Sequence, residues 1–298
     1  MSSVKISENE FDVPMYFLNR IKLWDKVKPY NFQYYPKEDF PRHNLDHSPR
    51  LTRVKSMRSY DPPASLDVQG FGIHRLKTSM EYLDFIDEAT IENVYCKELE
   101  KYFKEVLGAK HVRALDFQVR RRDMEFPYFG GKLPPRPQPS LMTHVDVTPA
   151  AAESIVRDLY EDVADQILQS RYQIITAWRP FQVPVQDWPL AICDATTVDE
   201  GDLVATDIIY PNYVAENRMV HFNENQKWYW LPDQTEDEIL VFKAVDTGSP
   251  TGWPCPHGAF PLLGQETDGP SRESIDVRLL VMYADIDYPE SKGQARVY

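Results

Sequence analysis

The second half of the chain is a succession of short, strongly β-prone runs, and this narrows its possible folds more than anything else in it. Gln173-Ile-Ile-Thr-Ala-Trp178, Leu190-Ala-Ile-Cys193, Asp202 to Ile209, Trp228-Tyr-Trp-Leu231, Glu238 to Val245 and Ser274 to Tyr283 are rich in β-branched and aromatic residues. Turn-forming residues separate them at short spacing, the pattern of an all-β barrel or sandwich. Upstream, His111 to Arg120 alternates Val112 and Ala114 with Leu115, Phe117 and Val119, again strand-like. No internal repeat of roughly 20 to 50 residues runs through the chain, which argues against a solenoid or propeller.

Two helices flank these runs. From Ser79 to Leu107, Tyr82, Ile86, Ile91, Val94, Leu99, Phe103 and Val106 recur at helical intervals, and Gly108 supplies a stop. Thr148-Pro149 is an N-cap followed by a first-turn proline. Beyond it Ile155, Leu159, Val163 and Ile167 form an apolar stripe, with Asp158, Glu161, Asp162 and Asp165 on the solvated face. Residues 1–75 are rich in Pro, Tyr and charge, and Asn31 to Tyr35 reads as part of an extended arm. The expectation is one domain over 1–298. Residues 1–110 are its arm and helices wrapping the core, 111–288 the β core, and 289–298 a tail.

Composition removes whole classes of function. A hydrophobic content of 42% and an aromatic content of 12% exclude a disordered chain. A net charge of −13 repels nucleic acid and anionic lipid, so neither is an expected partner. No run reaches the roughly 18 apolar residues that span a bilayer, and the N-terminus lacks the apolar core of a signal peptide. The three cysteines form no CxxC pair and suit a reducing compartment, so a cytoplasmic protein is expected. The absence of GxxxxGK[ST], GxGxxG, GxSxG and HExxH leaves no ordinary nucleotide-phosphate or serine-hydrolase chemistry.

What remains is His144-Val-Asp146 and a distant His257. Strand side chains alternate faces, so His144 and Asp146 point the same way. Two imidazoles and one carboxylate form the facial ligand set of a non-haem Fe(II) oxygenase, leaving coordination positions for a bidentate 2-oxo acid and O2. Each of the three, alone, is more often a hydrogen-bonded structural residue. Arg272 and Ser274 share a strand face and together suit a carboxylate, as the far end of 2-oxoglutarate requires. Arg278 has the same parity, and an inward guanidinium demands an anion: the cosubstrate, the substrate or a nearby Asp. Arg120, Arg121 and Arg122 read as a solvated strand end or an anion contact. Phe126, Tyr128 and Phe129, on a proline-rich loop, are either a lid or loop anchors. His43 and His47 have helical ligand spacing, but Pro41 and Pro49 favour a loop without a metal role.

The motifs as a set resemble one fungal family. His144-Val-Asp146, Trp178-Arg179-Pro180, Pro184-Val185, Pro189-Leu190-Ala191 and Cys193-Asp194 carry the resemblance. So do Trp228-Tyr229, Glu238 to Lys243, Asp246, His257 to Phe260, and Arg272 to Arg278. The family is the asaB-type hydroxylase/desaturases, which include the fungal gibberellin desaturase and are related to the cephamycin methoxylation proteins. The resemblance covers about residues 110–285. It implies a mainly β fold with flanking helices around a double-stranded β-helix (jelly-roll) core. It also implies Fe(II), 2-oxoglutarate as cosubstrate and O2, acting on an intermediate of secondary metabolism by hydroxylation, desaturation or ring formation. Carried over by motif position, the metal triad is His144, Asp146 and His257, and the clamp is Arg272 and Ser274, with Arg278 as a further cosubstrate contact.

Phe129, Trp178, Arg179, Tyr210, Trp228 and Trp230 are the candidates for substrate-pocket walls, against the commoner fate of strand aromatics in a core. The partner is a small-molecule substrate, and the oligomeric state stays open, a homodimer included. Two readings compete with the oxygenase: an iron-dependent isomerase without 2-oxoglutarate, and a jelly-roll binding module whose His and Asp are structural.

Overall fold

The computed structural model describes residues 10–37, 39–129, 132–248, 254–262 and 270–287, and the expected tail at 289–298 lies outside the described residues. Four strands come first: β1 (Glu10–Leu18), β2 (Tyr30–Phe32), β3 (His47–Ser56) and β4 (Phe71–Arg75). After α1 (Glu88–Thr90), one π turn leads into α2 (Cys96–Val106). β5 (His111–Arg121) and the two-residue β6 (His144–Val145) precede α3 (Pro149–Tyr160) and α4 (Ala164–Leu168). The remainder is β7 (Tyr172–Pro180), β8 (Leu190–Cys193), β9 (Leu203–Ile209), β10 (Val214–Val220) and β11 (Trp228–Trp230). β12 (Glu238–Asp246), β13 (His257–Ala259) and β14 (Glu273–Met282) complete it.

The strands form a nine-stranded sheet, β1-β3-β11-β8-β13-β6-β10-β9-β2, and a five-stranded sheet, β4-β12-β7-β14-β5. Ile192 and Tyr229 of the first meet Trp178, Leu240 and Phe242 of the second in one buried cluster, so the sheets face each other as the layers of a jelly roll. The outer face of the smaller sheet carries Ala177, Val241, Ile275, Val277 and Leu279. It is covered by Tyr95, Leu99 and Phe103 from the helical segment. Ile155, Val156 and Ile167 of α3 and α4 pack on Val145, Ile174, Leu280 and Met282.

The N-terminal region departs from expectation. Residues 10–75 are not an arm laid over a finished core, because β1, β2 and β3 belong to the larger sheet and β4 to the smaller. The alternation is present but broken up by charge and proline. In β1, Val13, Met15 and Phe17 are buried while Asp12, Pro14 and Tyr16 are not. In β3, Thr52, Val54 and Ser56 are buried between exposed Arg53 and Lys55. β10 likewise lacks an apolar signature: its Arg218 is buried and reaches Glu200 at 3.4 Å, and its Glu216 pairs with Lys28 and Thr148.

The expected helix over Ser79–Leu107 is interrupted. A short 3-10 turn ends at Asp87, whose carboxylate accepts from the Thr90 N–H at 2.9 Å and starts α1. Thr148 caps α3 as expected, its Oγ1 accepting from the Ala151 N–H at 3.0 Å. The stripe continues to Ile167 only through a break, where Glu161 has φ 29°.

One buried charge cluster braces β7 against β12. Lys243, 1% exposed, donates to Asp246 at 3.1 Å, and Gln173 and Arg171 donate to the same carboxylate at 2.9 Å. Burial works to raise the Asp246 pKa, but the hydrogen bonds from Arg171 and Gln173 and the charge of Lys243 outweigh it, and the carboxyl is held below its usual range. A folded-state pKa below the unfolded one stabilises above the unfolded pKa of about 3.9 and is lost as pH falls. Asp246→Asn leaves Lys243 buried without its counter-charge and is expected to cost about 3 kcal/mol at neutral pH. Urea unfolding checks this, and the gap to wild type should narrow in acid, below about pH 4.

Candidate metal centre

β6 lies between β13 and β10, and its first residue is His144. The antiparallel register sets His144 directly opposite His257 on one side and Met219 on the other. Paired residues on neighbouring strands share a face, so the two imidazoles meet with ring centroids 4.4 Å apart. Asp146, two residues past His144 and just beyond the end of β6, points the same way. Its Oδ1 is 3.4 Å from Nε2 of both histidines. One donor atom from each of the three lies within 4.8 Å of the others. Behind β13, a Cβ on Gly258 would stand 3.3 Å from the Thr143 side chain and 3.5 Å from its Cα, so β13 packs closely on the segment that leads into β6.

The hydrogen bonds decide which nitrogens are available. His144 Nδ1 is 2.8 Å from the Met142 carbonyl, and His257 Nδ1 is 3.2 Å from the Cys255 carbonyl. A carbonyl oxygen only accepts, so each ring carries its proton on Nδ1 and keeps an Nε2 lone pair facing Asp146. Burial disfavours the imidazolium of His144, and His257 beside it adds to that, so its pKa is lowered. Two neutral nitrogens and one carboxylate oxygen, converging on one point from separate directions, fit a divalent iron.

Arg272 stands on the inner side of the smaller sheet and is 4% exposed. Its Nε and Nη2 each lie 3.4 Å from Ser274 Oγ, Nη1 donates to the Trp188 carbonyl, and its guanidinium sits over the Trp178 ring at 5.1 Å. All of these partners are uncharged, and no ion pair joins the side chain to a carboxylate among the described residues. Burial, and then the nearby charge of Arg120, outweigh the opposing charges of Asp276 and Asp187 and lower its pKa to about 9. A carboxylate guest would relieve that deficit.

The other inward arginines are already answered. Arg278 meets Asp116 through two hydrogen bonds, one of 2.8 Å, so its expected anionic partner is an Asp of β5. Arg120 pairs with Asp276 at 2.7 Å and donates to the Gln138 carbonyl at 3.0 Å, which makes it an interior residue and not a solvated strand end. Trp178 faces inward and Tyr210 stacks on Tyr213 at 4.5 Å, with the charges of Arg120 and Arg278 within reach of Tyr210.

Four pocket candidates lie elsewhere. Strand alternation turns Arg179 to the helical face, where its guanidinium lies 5.9 Å from the Phe85 ring. Trp228 and Trp230 flank Tyr229, which shares a face with Ile192 and His257, so both point the other way. They pack in the cluster of Val13, Met15 and Phe17. Phe129 is 54% exposed and contacts Tyr16. Sequence reasoning also passes over Asp116 and Thr176, inward polar residues that belong to no local motif.

A jelly roll with two histidines and one carboxylate converging between its sheets defines the class of non-haem iron oxygenases. Within it, the chain belongs to the asaB-type hydroxylase/desaturase family, its curated relatives being fungal hydroxylase/desaturases and Fe(II)/2-oxoglutarate-dependent dioxygenases. Residues 15–282 match the family model YDMC, described as an Oxidoreductase/YMDC permease-like domain. The hydroxylase/desaturase efuI of Hormonema carpetanum is 33% identical over 251 residues, covering 78% of this chain and 83% of its own. The Fe(II)/2-oxoglutarate-dependent dioxygenase nvfI of Aspergillus novofumigatus is 32% identical over 253 residues, covering 83% and 88%. Among solved structures, the iron and alpha-ketoglutarate-dependent endoperoxidase NvfI superposes with a TM-score of 0.79 at 29% identity, over 93% of this chain and 100% of that one. A variant of the same protein reaches 0.82, over 93% and 99%. No helix among the described residues is long and apolar enough to cross a membrane.

His257→Ala removes one of the three donors and is expected to abolish stoichiometric Fe(II) binding. Anaerobic titration with Fe(II) checks this, with the unfolding midpoint as a control for the fold.

Proposed function

We propose that this chain is an Fe(II)/2-oxoglutarate-dependent dioxygenase of fungal secondary metabolism, with His144, Asp146 and His257 holding the metal and Arg272 with Ser274 holding the cosubstrate. The reaction is a hydroxylation, desaturation or oxidative ring formation on a small molecule. The observation that carries the reading is Arg272: a buried guanidinium whose hydrogen-bond partners among the described residues are all neutral, in the same interior as the convergent triad. An isomerase without 2-oxoglutarate has no use for a waiting cation there, and a binding module has none for two imidazoles whose Nε2 atoms are kept free.

When bound, Fe(II) with 2-oxoglutarate and O2 supplies the oxidation of a substrate C–H bond, 2-oxoglutarate leaving as succinate and CO2. The chain's own residues do the rest. Met142 and Cys255 carbonyls hold the imidazoles in the tautomer that presents Nε2. Arg272 and Ser274 take the far carboxylate, and Trp178 beneath the guanidinium fixes its plane and excludes water. The Arg278–Asp116 and Arg120–Asp276 pairs, with Tyr210, give the interior a polar wall of balanced charge against which the substrate lies. Three free, buried cysteines suit a reducing environment, and we place the protein in the cytoplasm.

Arg272→Ala is expected to raise the KM for 2-oxoglutarate at least about 100-fold, the order set by losing a buried charge-assisted pair. Iron affinity should stay unchanged. Succinate release against 2-oxoglutarate concentration measures the first and Fe(II) titration the second; an unaltered KM removes the clamp.

A further inference from the structure

Asp146 is the ligand least held by its own strand. It sits in the bend past β6, outside the ladder that fixes His144 and His257. Its two oxygens nonetheless have different surroundings. Oδ1 faces both imidazoles at 3.4 Å, while Oδ2 accepts a hydrogen bond of 2.5 Å from Thr176 Oγ1. Thr176 belongs to β7, the central strand of the opposite sheet, and is 1% exposed. Its neighbours in register are Arg278 on β14 and Phe242 on β12, so it is fixed from both sides. A hydroxyl has one proton to donate, and this one goes to Asp146. The bond thus crosses from one sheet to the other at the metal centre.

The consequence concerns how many coordination positions the protein takes. A carboxylate binds a cation through one oxygen or through both. Two-oxygen binding here would consume a position that the keto-acid and O2 require, since the facial arrangement works by leaving three open. A hydrogen bond on Oδ2 opposes that second contact and turns Oδ1 toward the imidazoles. We propose that Thr176 is a positioning residue that holds Asp146 to one-oxygen coordination and so keeps the third open position free. This rests on the iron-site reading above.

The test uses the full chain without oxygen, with Fe(II) alone and then with 2-oxoglutarate. Thr176→Val keeps the side-chain shape and removes the donor; Thr176→Ala is a second variant in case Val disturbs the fold; Thr176→Ser keeps the hydroxyl. Fe(II) affinity is expected to fall about 10- to 100-fold in the Val and Ala variants, the usual effect of losing a group that orients a ligand. The visible charge-transfer absorption that marks keto-acid chelation by Fe(II) should weaken in both, and Ser should restore both properties. Folding is followed separately by the unfolding midpoint. Val and Ala variants that match wild type in Fe(II) affinity and in absorption overturn the proposal, as does a Ser variant no better than Val. A wild-type chain that binds no Fe(II) overturns the site reading itself, a result distinct from either.

Discussion

The site depends on one antiparallel register, His144 of β6 opposite His257 of β13. Side chains alternate along a strand, so a slip of one residue would turn one imidazole to the far face and dismantle the centre. β6 is only two residues long and does not specify that register alone. Its neighbours do: Met219 pairs with His144 from the other side, and Ile192 pairs with His257 across β8. From behind, the Thr143 N–H and Oγ1 both donate to the Tyr16 carbonyl at 2.9 Å. The convergence of the three side chains is therefore a product of sheet geometry more than of local sequence.

Much of that geometry was legible, and the reasons for the gaps are physical. β7, β8, β12 and β14 read from their apolar runs because they are buried on both faces, between the facing sheet and covering helices or strands. His144 and Asp146 share a face because period two is a property of any strand. β1, β3 and β10 escaped because their charged residues find partners: Arg53 with Asp12, Arg218 with Glu200, Glu216 with Lys28. Composition cannot reveal such pairing before the fold is known. The same holds for Asp116, which meets Arg278 from the adjacent strand. Trp228 and Trp230 look like pocket walls in sequence, but parity assigns them to the core, and only the register with His257 fixes that parity.

Charge inside the barrel is distributed with one deliberate imbalance. Arg120 has Asp276 and Arg278 has Asp116, while Arg272 has a hydroxyl, a carbonyl and an aromatic face. Removing a guanidinium from water without a counter-charge is costly. Among the described residues the interior gives two such groups an ion pair and the third none, which is the arrangement the proposed carboxylate contact calls for. Elsewhere its wall is polar yet electrically balanced, which suits a substrate recognised by shape and hydrogen bonds.

The contact between Tyr16 and Thr143 spans 127 residues of chain, and His257 arrives later still. During synthesis β1 and β3 can pair early, but β3 gains its other sheet neighbour only with β11, and β13 follows later still. A fragment that ends before β13 therefore lacks one of the three converging side chains. Assembly of the three waits for β13, and β1 is a buttress for a site completed long after it.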